Sequence, residues 1–205
     1  MTGKPCQDRA AGFVRGALAG VVLCDGAGSC AHSERAAQRL MEWIPDYLQI
    51  TFDTLCALPP EECYCTLLFY AAHADGRWLC GHIGDGYIFR IRQDTAVVFS
   101  APENGHAINE TYFLSEPGAA QHLRIRSGEL HEPYAVLLTS DGGGDTLFDR
   151  QQQQPAPAVE RLCDWLTEND EKTVTEALAH VIKEKMIPDT EDVVSVAILF
   201  CSEDE

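Results

Sequence analysis

The chain has 205 residues and a mass of 22.6 kDa, which predicts a single domain spanning residues 1–205. Hydrophobic residues make up 45% and charged residues 23%, enough apolar content to bury a sizeable core and to exclude wholesale disorder. Thirty-two acidic residues against 15 basic ones leave a formal charge of -17, which opposes general nucleic-acid binding and docking on anionic membranes and favours cations as small partners.

No apolar run reaches the ~20 residues of a membrane-crossing helix, and the opening MTGKPCQDR lacks the apolar core of a signal peptide, so a cytoplasmic location is expected. The nine cysteines are odd in number and follow no secretory signal, so they read as reduced thiols and not as a disulfide framework. There is no C-x-x-C pair. Cys63 and Cys65 alternate onto one face of a strand as core thiols, and no two histidines have the spacing of a zinc pair.

In chain order, AAGFVRGALAGVVLC, ending at Cys24, predicts two short strands joined by a turn, the second delivering Asp25 to a loop. Between His32 and about Leu55, Ala36, Leu40, Trp43, Ile44, Tyr47 and Leu48 recur at helical spacing, with Ser33 as N-cap and Pro45 as a break. Residues 63–99 alternate β-rich runs with Asp-Gly signals, predicting an antiparallel meander in which Asp85-Gly86 is a hairpin turn. Residues 100–120 read as a surface excursion, followed by strands near 121–127 and 134–140, the latter leading to Asp141. Helices are expected at 157–168 and 172–186, and VVSVAILF at 193–200 as a final central strand. Strands at both ends with helices in two blocks describe a layered α+β sandwich.

Four acids adjoin apolar strands: Asp25, Asp85, Asp141 and Asp192. Three are followed by glycine, which permits close backbone approach and positive φ. Carboxylates converging at strand ends repel one another unless a cation compensates, so their meeting would define an oxygen-ligated Mg²⁺ or Mn²⁺ site.

The ordered blocks VVLCDGAGS (21–29), GHIGDG (81–86), LLTSDGGGD (137–145) and TEDVVSVAILF (190–200), opened by GKPCQD (3–8), resemble the metal-dependent protein serine/threonine phosphatases of the 2C type, in a compact bacterial branch. The resemblance implies a four-layer α-β-β-α sandwich of two antiparallel sheets packed face to face. It also implies two Mg²⁺ or Mn²⁺ ions, possibly a third. In the same way it assigns Asp25, the Gly26 carbonyl, Asp141 and Asp192 to the metals, Asp8 to a carboxylate holding metal-bound water, and Asp85 and Asp145 to a third, weaker ion. The reaction implied is hydrolysis of phosphoserine or phosphothreonine by a metal-bridging hydroxide, without a phosphoenzyme; the partners implied are a phosphoprotein and a cognate serine/threonine kinase.

The chain departs from the better-known eukaryotic pattern at three positions. Ala27 stands where those members place a histidine, Tyr87 stands where an arginine often follows the second motif, and Lys4 replaces the arginine that holds the substrate phosphate. These departures frame the alternative of a catalytically weak pseudophosphatase acting as a scaffold. No cysteine is followed six positions later by arginine, which excludes a cysteine-based phosphatase, and DGAGSCAHSE carries too few acids for an EF-hand.

Overall fold

The computed structural model describes residues 7–15, 18–27, 33–43, 64–103 and 111–202. Lys4, His32, Cys63 and the expected helical stretch after Trp43, with its Pro45 break, lie outside the described residues.

Two antiparallel sheets form the centre. The first contains β1 (Arg9–Arg15), β2 (Leu18–Cys24), β3 (Leu67–His73), β4 (Arg77–Ile83) and, after a gap in the sequence, β7 (Arg124–Glu129), in the order β1-β2-β3-β4-β7. The second contains β5 (Tyr87–Arg92), β6 (Thr95–Ser100), β8 (Tyr134–Thr139) and β11 (Val196–Cys201), in the order β11-β8-β5-β6. A two-stranded ribbon, β9 (Phe148–Asp149) with β10 (Gln154–Pro155), lies outside both.

The helices flank this pair. Helix α1 (Ser33–Trp43) buries Ala37 and Leu40 against Val22, Cys24 and Phe69 on the outer face of the first sheet. A short α2 (Ala119–His122) buries Ala119 in the same layer. On the far side, α3 (Asp141–Leu147), α4 (Pro157–Glu168) and α5 (Glu171–Val181) close over Phe89, Ile91, Ala135 and Leu137 with Leu147, Val159 and Leu162. The third apolar layer lies between the sheets, where Val21, Leu23, Leu68 and Tyr70 face Ile88, Val136 and Leu138. Full burial of a side chain such as Leu138 contributes ~2 kcal/mol. Tyr70 stacks on Trp78 at 5.6 Å and Trp78 meets Phe99 edge-on at 5.4 Å, joining β3 and β4 to β6. The order helix, sheet, sheet, helix is the expected four-layer sandwich.

Strand alternation explains why one chain supplies three layers: successive residues of β2 and β8 point to opposite faces, and both faces are covered. That two-sided cover also accounts for a correction. The 193–200 run is not a central strand: among the described residues β11 is an edge strand paired only with β8, and it starts at Val196. Its apolar side chains divide between the inter-sheet layer (Ala197, Leu199) and the helix layer (Val196, Ile198), so an edge strand reads like a buried one.

A second correction concerns the meander. It divides after β4: β3 and β4 pair in the first sheet, β5 and β6 in the second, and Gly84–Gly86 carries the chain across. Asp85-Gly86 is therefore not a hairpin turn. Gly84, not Gly86, takes the positive φ of 114° there. Ser33, expected as an N-cap, is the first helical residue, and its hydroxyl donates to the Ala27 carbonyl at 3.0 Å. The α5 helix ends at Val181 and continues as one π turn (Ile182–Met186) and a 3-10 turn (Ile187–Asp189) containing Pro188. Cys24, Cys80 and Cys201 are free thiols. Among the described residues no helix is long and apolar enough to cross a membrane.

Candidate metal centre

Register brings five segments to one rim. In the first sheet Arg9 pairs with Cys24, Leu23 with Leu68 and Leu67 with Ile83, so the start of β1 and the ends of β2 and β4 lie side by side. In the second sheet Thr139 pairs with both Tyr87 and Val196, which aligns the start of β5, the end of β8 and the start of β11. Asp8 and Asp25 adjoin those ends, Asp85 and Asp141 lie two residues beyond them, and Asp192 lies four residues before the start of β11.

One carboxylate oxygen from each of Asp25, Asp85 and Asp141 lies within 4.8 Å of the others. Asp8 and Asp25 are hydrogen-bonded to each other, Asp25 bonds Asp141, and Asp192 repels both Asp8 and Asp141 electrostatically. Burial is the main cause of the shifts that follow. It pushes the Asp25 carboxyl far above the ordinary carboxylate range, with Asp8, Asp141 and Asp85 adding repulsion, and it raises Asp8. Asp141 is raised to about 6, again chiefly by burial and then by Asp85 and Asp192.

The local backbone makes these positions rigid. The Asp25 N–H donates to the Thr66 hydroxyl at 3.1 Å, while Thr66 N–H donates to the Asp25 carbonyl at 2.9 Å and Ala27 N–H to the Tyr64 carbonyl at 3.1 Å. These bonds flank the bridge between Gly26 and Cys65 and use the neighbours' carbonyls, not that of Gly26. A Cβ on Gly26 would come within 2.8 Å of the Gln7 carbonyl, so glycine there lets the Asp8 segment pack against the first motif. Gly142 serves the same purpose on the other side, where a Cβ would lie 2.7 Å from the Val193 carbonyl.

Several hydroxyls that support the acids carry no recognisable pattern in the sequence. Ser195 donates to Asp8 Oδ2 at 3.0 Å, its N–H donates to the Ser140 hydroxyl at 3.0 Å, and its carbonyl accepts from the Thr139 hydroxyl at 3.0 Å. The Thr111 hydroxyl donates to Asp85. Tyr87, the residue in place of arginine, stacks on Phe89 at 5.5 Å and Phe148 at 5.0 Å and packs beneath Gly144. Ala27 is buried and presents only a methyl group.

Asp145 does not join the Asp25–Asp85–Asp141 trio. Its carboxylate accepts from Arg150 at 2.7 Å and from the Thr190 hydroxyl at 2.9 Å.

The residues fit a metal. Buried carboxylates that share protons and repel one another are costly unless positive charge offsets them, and an all-oxygen donor set suits a hard divalent cation. The sequence profile of the protein phosphatase 2C family matches residues 1–57 and 52–183, so the chain belongs to that family and is a phosphoprotein phosphatase. The family is metal-dependent. No curated protein sequence matches the chain significantly. Among solved structures, the S. agalactiae serine/threonine phosphatase superposes with a TM-score of 0.68 at 15% identity, covering 99% of this chain and 96% of its own. RsbX in complex with magnesium gives 0.63 at 11%, covering 97% and 89%. The phosphatase domain of SpoIIE from Bacillus subtilis gives 0.56 at 15%, covering 99% and 89%. At these identities the likeness is one of fold.

Proposed function

We propose that the chain hydrolyses phosphoserine and phosphothreonine in protein substrates, using Mg²⁺ or Mn²⁺ held by Asp25, the Gly26 carbonyl, Asp141 and Asp192, with Asp8 and Asp85 beside them. The observation that carries this reading is the convergence of the Asp25, Asp85 and Asp141 oxygens within 4.8 Å of one another from three separate chain segments. Bound there, two such ions would supply Lewis-acid activation of water and charge compensation for the phosphoryl oxygens.

The chain's own residues prepare the site. Asp8, aligned by Ser195 and bonded to Asp25, offers an acceptor that orients a water and takes up its proton. Burial of Asp8 and Asp25 limits competing solvent and strengthens every charge interaction at the rim. Lys4 is the residue proposed to hold the substrate phosphate; being a point charge, it would neutralise without the bidentate geometry of arginine. Ala27 cannot protonate the leaving alkoxide, so a water or His32 would have to supply that proton. A serine/threonine kinase that phosphorylates the same substrate is the proposed opposing partner.

Ala27 also favours the second reading, a weakly turning-over scaffold. A phosphothreonine peptide assayed with Mn²⁺ and with EDTA separates the two. Manganese-dependent turnover that disappears in Asp141→Asn supports the phosphatase; tight Mn²⁺ binding without turnover at any pH supports the scaffold.

A further inference from the structure

Asp145 closes the DGGGD block in α3, yet both of its oxygens are already engaged: Oδ1 accepts from Arg150 Nη2 at 2.7 Å and Oδ2 from Thr190 Oγ1 at 2.9 Å. The same Thr190 oxygen accepts the backbone N–H of Asp192 at 3.2 Å. The directions are consistent, because a hydroxyl has one proton, given to the carboxylate, and lone pairs free to take an amide. A continuous path therefore runs from α3 through Thr190 to the backbone of Asp192.

That path has work to do. Residues 191–193 are exposed, so no buried side chain anchors them, and the Asp192 backbone rests against Gly142. Further along, the segment is fastened by Ser140, whose hydroxyl donates to the Val193 carbonyl at 2.9 Å, and by Ser195. On the near side the fastening is Thr190, and Asp145 orients it. Arg150 is 72% exposed, and a surface ion pair of this kind contributes little by itself. Each Asp145 oxygen thus already serves one protein donor, and the Thr190 bond is the one that leads toward the acidic rim.

We propose that Asp145 is a positioning residue that holds the Asp192 backbone at the acidic rim through Thr190. The proposal rests on the metal reading above and gives this one residue a role that acts through Asp192. The outer hydrogen bonds of metal ligands typically govern affinity by about 10–100-fold, so the tether is expected to act on ion binding.

The test uses the whole chain as wild type, Asp145→Ala, Thr190→Val, Thr190→Ser and Arg150→Ala. Mn²⁺ titration followed by calorimetry and electron paramagnetic resonance is combined with amide exchange of the metal-free protein by nuclear magnetic resonance. Two ions are expected in wild type, and Asp145→Ala and Thr190→Val weaken the same ion by about tenfold. Thr190→Ser restores wild-type affinity, and Arg150→Ala stays within about twofold of wild type. In metal-free protein the Asp192 amide exchanges about fivefold faster in Asp145→Ala and Thr190→Val, the effect of losing one ordinary hydrogen bond. Loss of a third ion in Asp145→Ala, with Thr190→Val binding normally, overturns the proposal. So does an unchanged Asp192 amide in variants that bind both ions. A wild type that binds no ion overturns the metal reading itself, so the two failures are distinct.

Discussion

Asp25-Gly26 and Asp75-Gly76 are the same dipeptide at the ends of strands in the same sheet, and they have opposite fates. Asp75 is exposed at the β3–β4 hairpin, Gly76 takes a positive φ of 88°, and hydrogen bonds from Arg77 hold the carboxyl below its ordinary range. Asp25 is half-buried among other acids, and its carboxyl is pushed up. The difference lies in where the chain goes next. A strand that turns straight back leaves its acid in water, with a cation two residues away; one that leaves the sheet at the shared rim delivers its acid to the ends of four other segments.

The largest effects should come from breaking that contrast. Asp141→Asn is expected to lower kcat/KM by about 10³-fold or more, because several kcal/mol of charge stabilisation is lost at tenfold per 1.36 kcal/mol. Asp75→Asn should change it by less than about twofold, since its ion pairs are at the surface. Steady-state kinetics on a phosphothreonine peptide with Mn²⁺ measure both.

Gly142→Ala should cost about 1–3 kcal/mol in urea unfolding and weaken Mn²⁺ binding as well, because the added Cβ meets backbone, the Val193 carbonyl at 2.7 Å. The corresponding change at Gly118, where a Cβ meets nothing within 4 Å, removes no space but must tolerate a φ of 91°. It should therefore affect stability alone.

These glycines mark how far the sequence could be read. Asp25 and Asp141 were legible because an apolar strand runs directly into each, and Asp192 because one follows it. Asp85 was legible as an acid at a strand end but not as a crossing point: strands flank it on both sides, and nothing local says that they belong to different sheets. Position within a sheet was equally hidden in β11, where two-sided burial makes an edge strand look central. Ser195, Thr66 and Thr111 left no trace, since a hydroxyl finds its partner only after the fold brings it within reach. The separate tethering of Asp145 is of the same kind.

A smaller and independent effect comes from His82. It is fully buried in β4, with Nδ1 2.8 Å from the Ser100 hydroxyl, Arg124 and Arg126 nearby, and Gly84 backbone in hydrogen-bonding reach. Burial, followed by the charge of Arg124, lowers its pKa to about 3. As pH falls below about 6.5 the unfolded chain takes up a proton that the folded chain refuses, so stability is lost on acidification. Between pH 7 and pH 5 this one group should remove about 2 kcal/mol. Other groups titrate over the same range, so the check is the difference between wild type and His82→Gln, which should lack that component in urea unfolding across the interval.

The most direct measurement is thermal unfolding of wild type and Asp25→Asn, each in EDTA and in Mn²⁺. Asparagine donates to Asp8 as a protonated Asp25 does, without the proton uptake that burial and three neighbouring acids impose on Asp25 when the metal-free chain folds. In EDTA the variant should therefore melt at least as high as wild type, with a gain of about 2–4 °C for each kcal/mol of that cost avoided. Saturating Mn²⁺, at about 100 times its dissociation constant, should raise the stability of wild type by about 2.7 kcal/mol and leave the variant nearly unchanged. A variant that melts lower than wild type in EDTA and is stabilised equally by Mn²⁺ would contradict the account.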